Sequence, residues 1–151
     1  MTELVRGFVV PKTSVVGLNF VRHVESVILE QPQVDIKTEH LFHAGIYTRT
    51  IRVPAGVVTT GALIKIPTTL TVSGTATIIV GNKDRITVDG FMVVPAMADR
   101  KQVLVAHTDT FISMSFVTSA RTVADAEAEF TDETDMLKSR NGDNVVIITE
   151  E

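Results

Sequence analysis

Apolar and polar residues alternate with a period of two from Tyr47 onward. Tyr47, Arg49, Ile51 and Val53 fall on one side and Thr48, Thr50 and Arg52 on the other, which predicts a half-buried strand. Pro54-Ala-Gly56 reads as a turn. Val57 to Ile66 is an apolar stretch holding Gly61 and ended by Pro67. Leu70 and Val72 lead to Ser73-Gly74, which reads as a further turn. Ala76, Ile78 and Val80 alternate with Thr75, Thr77 and Ile79 up to a hairpin signal at Gly81-Asn82-Lys83-Asp84. Ile86 and Val88 precede Asp89-Gly90, and Phe91 to Val94 ends at Pro95. Val103 and Val105 alternate with Leu104 and Ala106, and the same parity turns His107 inward. Ile112, Met114 and Phe116 alternate with Ser113 and Ser115. Short strands at this spacing, with turn signals between them, predict a mainly antiparallel sandwich or barrel from about Tyr47 to Val117. No helix-period segment separates them, which excludes a parallel α/β sheet.

The period changes at both ends. Phe20, Val21, Val24, Val27 and Ile28 lie at i, i+1, i+4, i+7 and i+8, one face of a helix over residues 15–30. Ser14 is placed to cap it, and Pro32 stops it. Its β-branched residues weaken intrinsic propensity, so the face needs a partner surface. That surface is either the chain's own barrel or another copy. Ahead of it, Leu4, Val5, Phe8, Val9 and Val10 form an apolar arm, folded back on its own domain or reaching a neighbour. Gln33 to Ala44 is a polar connector in which Val34 and Ile36 allow a short strand. Thr122 caps a second, acidic helix whose buried side carries Val123, Ala126 and Phe130. A further helical turn carries Met136 and Leu137, Asn141-Gly142-Asp143 turns the chain, and Val145 to Ile148 is a strand-like tail. The expected organisation is an arm and helix over 1–40, a barrel over 41–121, and an acidic helix and tail over 122–151.

Composition narrows the classes. With 44% hydrophobic residues among 151, the chain has enough apolar surface for one real core. No apolar run approaches the ~20 residues of a membrane span, and the start lacks the pattern of a signal peptide. The expectation is a soluble protein with no membrane partner. The chain has no cysteine, which excludes disulfides and thiolate metal sites. Residues 1–121 carry a net charge of +3 and residues 122–151 a net charge of −7. With one Tyr, no Trp and an acidic end, the chain lacks the basic, aromatic-lined face of a nucleic-acid binder.

Candidate chemistry is sparse. There is no glycine-rich phosphate loop and no nucleophile elbow. The histidines are His23, His40, His43 and His107. A three-histidine zinc site from His40, His43 and His107 is conceivable, but His40 and His43 point to opposite faces of an extended segment. The preferred reading is a hydrogen-bonded His107 at the barrel mouth and two surface histidines. The acidic run Asp132-Glu133 to Asp135 lacks the spacing and central glycine of a calcium loop and reads as solvated.

The glycine and proline punctuation from Gly45 to Val117 resembles the cupins, small jelly-roll barrels in which clustered His and Glu side chains hold a metal. Gly56 and Gly74 stand where that family's first motif has its glycines. The ligand places then fall near Ala62, Ile64 and Thr68, none suited to a metal. Gly90 and Pro95 fit the second motif, whose His place falls near Asp99 or Arg100. The stretches His40 to Gly56 and Val123 to Asp135 are further similar to small cupin-like proteins of tailed bacteriophages and prophages. Some of those keep histidines in the segment corresponding to Gly61 to Lys65; this chain does not.

The resemblance implies a mainly β, cupin-like jelly-roll barrel with an N-terminal helix and a short acidic C-terminal helix, no cofactor and no enzyme activity. It implies a virion structural or accessory protein of the capsid, collar or tail, made in a bacterial host cytoplasm. Its expected partners are itself and other virion proteins, held through Phe20, Val21, Val24, Val27 and Ile28. The alternative is a ligand- or carbohydrate-binding barrel using Tyr47, Arg49 and His107. A metal-dependent cupin enzyme, such as an isomerase or dioxygenase, ranks below both.

Overall fold

The computed structural model describes residues 8–81, 84–137 and 144–149. Helix α1 (Val15–Leu29) is followed by strands β1 (Thr38–His43), β2 (Ile46–Val53), β3 (Val58–Thr60), β4 (Thr68–Ile79), β5 (Arg85–Ala96), β6 (Val103–Ala106) and β7 (Thr110–Val117). Helix α2 (Val123–Phe130), a 3-10 turn (Thr134–Met136) and strand β8 (Asn144–Ile148) complete the order. The architecture is mainly β, a half-barrel with an N-terminal helix and a short C-terminal one. Among the described residues, no helix is long and apolar enough to cross a membrane.

The strands run β3-β6-β4-β7-β2-β1-β8, and β5 pairs with β4. All these pairings are antiparallel except β1 with β8, which is parallel. β1 and β2 are joined by Ala44 and Gly45, with φ of 54° and 70°. Two consecutive positive φ values make the two-residue hairpin turn whose twist matches the flanking strands. The long β4–β5 hairpin serves two partners in succession: residues 69–73 of β4 pair with β7, and residues 76–79 pair with β6.

Gly74 stands at the change of partner, opposite Gly90, with φ of 131°. A Cβ on Gly74 would come within 2.7 Å of the Asp109 carbonyl and of Thr110 Oγ1. Ser73-Gly74 is therefore not a turn, as the sequence suggests. It is the place where β4 runs on and exchanges neighbours, and only glycine admits the approach of residues 109 and 110. The polar connector holds a full strand at Thr38–His43, and β8 adds to it. The sheet thus crosses the boundaries drawn at residues 40 and 121. Residues 82–83 and 138–143, which include half of the turn expected at Gly81–Asp84 and all of the one expected at Asn141–Asp143, lie outside the described residues.

Strand parity fixes the core. Even residues of β4 and β7 and odd residues of β2 point inward, so Leu70, Val72, Ile78, Tyr47, Val53, Met114 and Phe116 are buried together. The helices close over this core. α1 begins at Ser14, whose side chain accepts a hydrogen bond from the Gly17 amide. Gly17 lets the helix sit on the end of β4, since a Cβ there would be 2.9 Å from the Val80 carbonyl oxygen. Val21 is fully buried, Phe20, Val24 and Ile28 are half-buried, and Val27 is exposed. Of the expected arm, Leu4 and Val5 lie outside the described residues; Val10 joins the core of its own chain, and its amide donates to Pro95 O at 3.0 Å. α2, capped by Thr122, buries Ala126, Glu127 and Phe130.

Candidate functional site

Between the inner faces of β2, β4, β6 and β7 lies a cavity of about 150 Å³. Its walls are largely apolar. Ile51 comes from β2, Leu70 from β4, Leu104 from β6, and Ile112 and Met114 from β7, with Ala62 and Ile64 from the irregular segment after β3 and Phe130 from the end of α2. A second hollow of about 330 Å³ adjoins it, sharing Ile36, Thr59, Thr60, Gly61, Ala62, Met136 and Leu137. The carbonyl of Phe130 accepts from the Lys65 amide at 2.9 Å, and Thr131 Oγ1 donates to Leu63 O at 2.7 Å. These bonds hold the segment after β3 against the end of α2.

Besides Thr59 and Thr60, the polar side chains lining the cavity are Arg49, Arg100 and Gln102, in different states. Arg49 projects from β2 on the inward parity expected of it. It donates to Glu127 Oε2 at 3.3 Å and lies over the Phe130 ring, 5.8 Å from its centroid. Arg100 is 2% exposed. Its Nη1 donates to the carbonyls of Ile66 and Met97, and its Nη2 to Thr68 Oγ1 at 2.6 Å and weakly to Met114 Sδ. All those acceptors are neutral, and burial pushes the guanidinium down to about 10, so it remains charged at neutral pH. Gln102 is the third, and its Oε1 is buried without a hydrogen-bond partner. Among the described residues, Thr38 Oγ1, on β1, is the other buried side-chain atom in that condition.

Lys101, between those two residues, faces elsewhere. It is fully buried and meets Glu25 at 2.9 Å, Glu133 at 3.3 Å and the Gly61 carbonyl at 2.7 Å. Arg22 also binds Glu133, at 2.9 Å. Burial alone would raise the Glu133 carboxyl, but the Leu63 amide, Arg22 and Lys101 together hold it below the usual range. The acidic run read as solvated thus contributes a partly buried carboxylate that joins α1, residues 61–63 and Lys101.

Tyr47 and Arg49 sit on the inner face of β2, as their alternation implies, but only Arg49 reaches the cavity. Tyr47 is fully buried among Phe42, Phe116 and Phe130. Its hydroxyl donates to His40 Nδ1 at 2.7 Å, and His40 Nε2 donates to Asn144 Oδ1 at 2.8 Å. Burial lowers the His40 pKa and raises that of Tyr47 to about 12. Both rings are neutral at physiological pH. His107 corrects the expected parity. It follows β6, lies exposed, and bonds Thr77 Oγ1 at 2.8 Å; Leu104 and Ala106 take the inward places, because β6 pairs with β4 through Ala76↔Ala106.

His40, His43 and His107 do not converge. His40 faces the core and is also not the surface residue expected, while His43 on the opposite face bonds Thr149. Among the described residues, no group of three or more His, Asp or Glu side chains is placed to hold a metal. The positions to which the resemblance assigns first-motif ligands now have visible roles. Ala62 and Ile64 line the cavity and Thr68 holds Arg100.

No protein-family model and no curated protein matches the chain. Several solved structures are similar to it. Ectoine synthase from P. lautus shares 17% identity over 66% of this chain and 75% of its own, with a TM-score of 0.49. The cupin domain of an XRE-family transcriptional regulator from Enterobacter cloacae shares 13% identity over 58% of this chain and all (100%) of its own, with a TM-score of 0.44. An RmlC-like cupin protein from Desulfovibrio desulfuricans shares 16% identity over 59% and 91% of the two chains, with a TM-score of 0.41.

Proposed function

We propose that this chain is a small-molecule-binding barrel that works without a metal. The observation that carries this reading is the cavity of about 150 Å³ inside the half-barrel, apolar on most of its wall. An apolar cavity of about that size is large enough for a benzene-sized guest, and preformed apolar pockets with a few polar groups are common ligand sites. Its walls suit an apolar body better than a carbohydrate, which would need more hydrogen-bonding partners than Arg49, Arg100, Gln102 and the threonines offer. The test is the melting temperature of chelator-treated protein with millimolar benzyl alcohol. A guest that binds only the folded state raises it in proportion to occupancy. Ala62→Leu, which fills the cavity, should abolish that rise. No rise in the wild type, or an equal rise in both, would overturn the proposal.

A second reading is a bacteriophage virion protein that associates with itself or other virion components through its N-terminal segment. The support is the apolar surface α1 leaves uncovered: Val15 is 77%, Val16 65% and Leu29 60% exposed. Sedimentation of Val16→Asp/Leu29→Asp against the wild type tests it. Loss of oligomers with an unchanged circular dichroism spectrum supports the contact; a wild type that sediments as a monomer removes it.

A further inference from the structure

Charge accounting around the barrel interior leaves one cation over. Arg49 faces Glu127. Lys101 and Arg22 together face Glu25 and Glu133. Among the described residues, Arg100 has no ion pair: its acceptors are two carbonyls, a hydroxyl and a thioether. Its Nε–H has no partner among those bonds. A buried charge satisfied only by neutral dipoles is costly unless something compensates it.

The same residue lines the cavity, beside Gln102, whose Oε1 lacks a partner. We infer, resting on the reading of this cavity as a ligand site, that its ligand is a small apolar monocarboxylate whose carboxylate sits against Arg100. Nη1 and Nη2 are engaged by protein acceptors, so the charged guanidinium offers a carboxylate its remaining Nε–H as a charge-assisted donor. One uncompensated positive charge matches one carboxylate. A doubly charged phosphate would leave a net negative charge among Ile51, Leu70 and Ile112, where desolvation penalises it. The cavity volume limits the apolar part to about the size of a benzene ring. Gln102 Oε1, an acceptor, favours a guest carrying an N–H or O–H beside its carboxylate.

The experiment uses the full chain, stripped of metal, titrated calorimetrically at neutral pH with benzoate and with its neutral isostere benzamide. The expected result is benzoate at least tenfold tighter than benzamide, with that preference lost in Arg100→Met. Equal affinities, a preference for benzamide, or a benzoate preference that survives Arg100→Met would overturn the inference. Benzamide binding without benzoate binding would overturn it while leaving the cavity reading intact; no binding of either, together with no effect of benzyl alcohol on melting, would remove both. Should Arg100→Met fail to fold, carboxyl-labelled benzoate on the wild type decides by carbon NMR. The bound acid should titrate at lower pH than the free acid, and an unchanged or higher pKa would contradict the inference.

Discussion

Gly74 and Gly90 face each other across the β4–β5 hairpin, both at positive φ, yet they meet different surroundings. A Cβ on Gly90 would find nothing within 4 Å, whereas one on Gly74 would collide with residues 109 and 110. Both alanine variants incur backbone strain of roughly 1–3 kcal/mol, and Gly74→Ala adds the displacement of β7. Urea denaturation should therefore rank Gly74→Ala clearly below Gly90→Ala; equal losses would contradict the close approach. His40 gives a pH prediction. Its folded pKa is lowered by burial from the ordinary 6.5, so the unfolded chain takes up that proton first. The stability carried by neutral His40 is present above pH 6.5 and falls as pH drops through the folded value. Nitrogen NMR should show the His40 ring neutral at pH 6.5, with Nε2 carrying the proton; a ring already half protonated there would refute the buried Tyr47–His40–Asn144 chain.

The Arg49–Glu127 pair ties two elements, β2 and α2, beneath the aromatic cluster. Glu127 is 1% exposed, and removing one partner of a buried pair costs about 3–5 kcal/mol because the other charge is stranded. Glu127→Gln and Arg49→Met should each cost that much, and the double variant should cost less than their sum. Additive losses in denaturant melts would mean the pair is not coupled. Much at this scale could be read from the sequence. Period-two alternation located β2, β7 and, as two pieces split at Gly74, β4, and Ser14 and Thr122 marked the caps, because strand faces and caps are local properties. Arg49 inside the barrel was legible too, by its parity with Tyr47 and Ile51. Partner exchange at Gly74 was not, since it depends on where β6 and β7 lie. His40, Arg100, Lys101, Glu127 and Glu133 were also missed as interior groups. Polar residues read as surface until their partners, far away in sequence, are known. The nearest signal for Arg100 and Lys101 is a basic pair just before the apolar strand at Val103.

At the scale of the molecule, the half-barrel combines an apolar cavity, two compensated groups of buried charges and one cation that is not compensated. α1 closes part of the outer hollow, with Glu25 and Ile28 among its lining. The account's central claim is that the cavity takes an apolar guest. The most direct test is a set of intermolecular nuclear Overhauser contacts between benzyl alcohol and methyl-labelled protein. The account predicts contacts from the ring protons to the methyls of Ile51, Ile112 and Met114, all cavity-lining. Contacts confined to Val93 and Val117 on the exposed surface, or none at saturating benzyl alcohol, would contradict it.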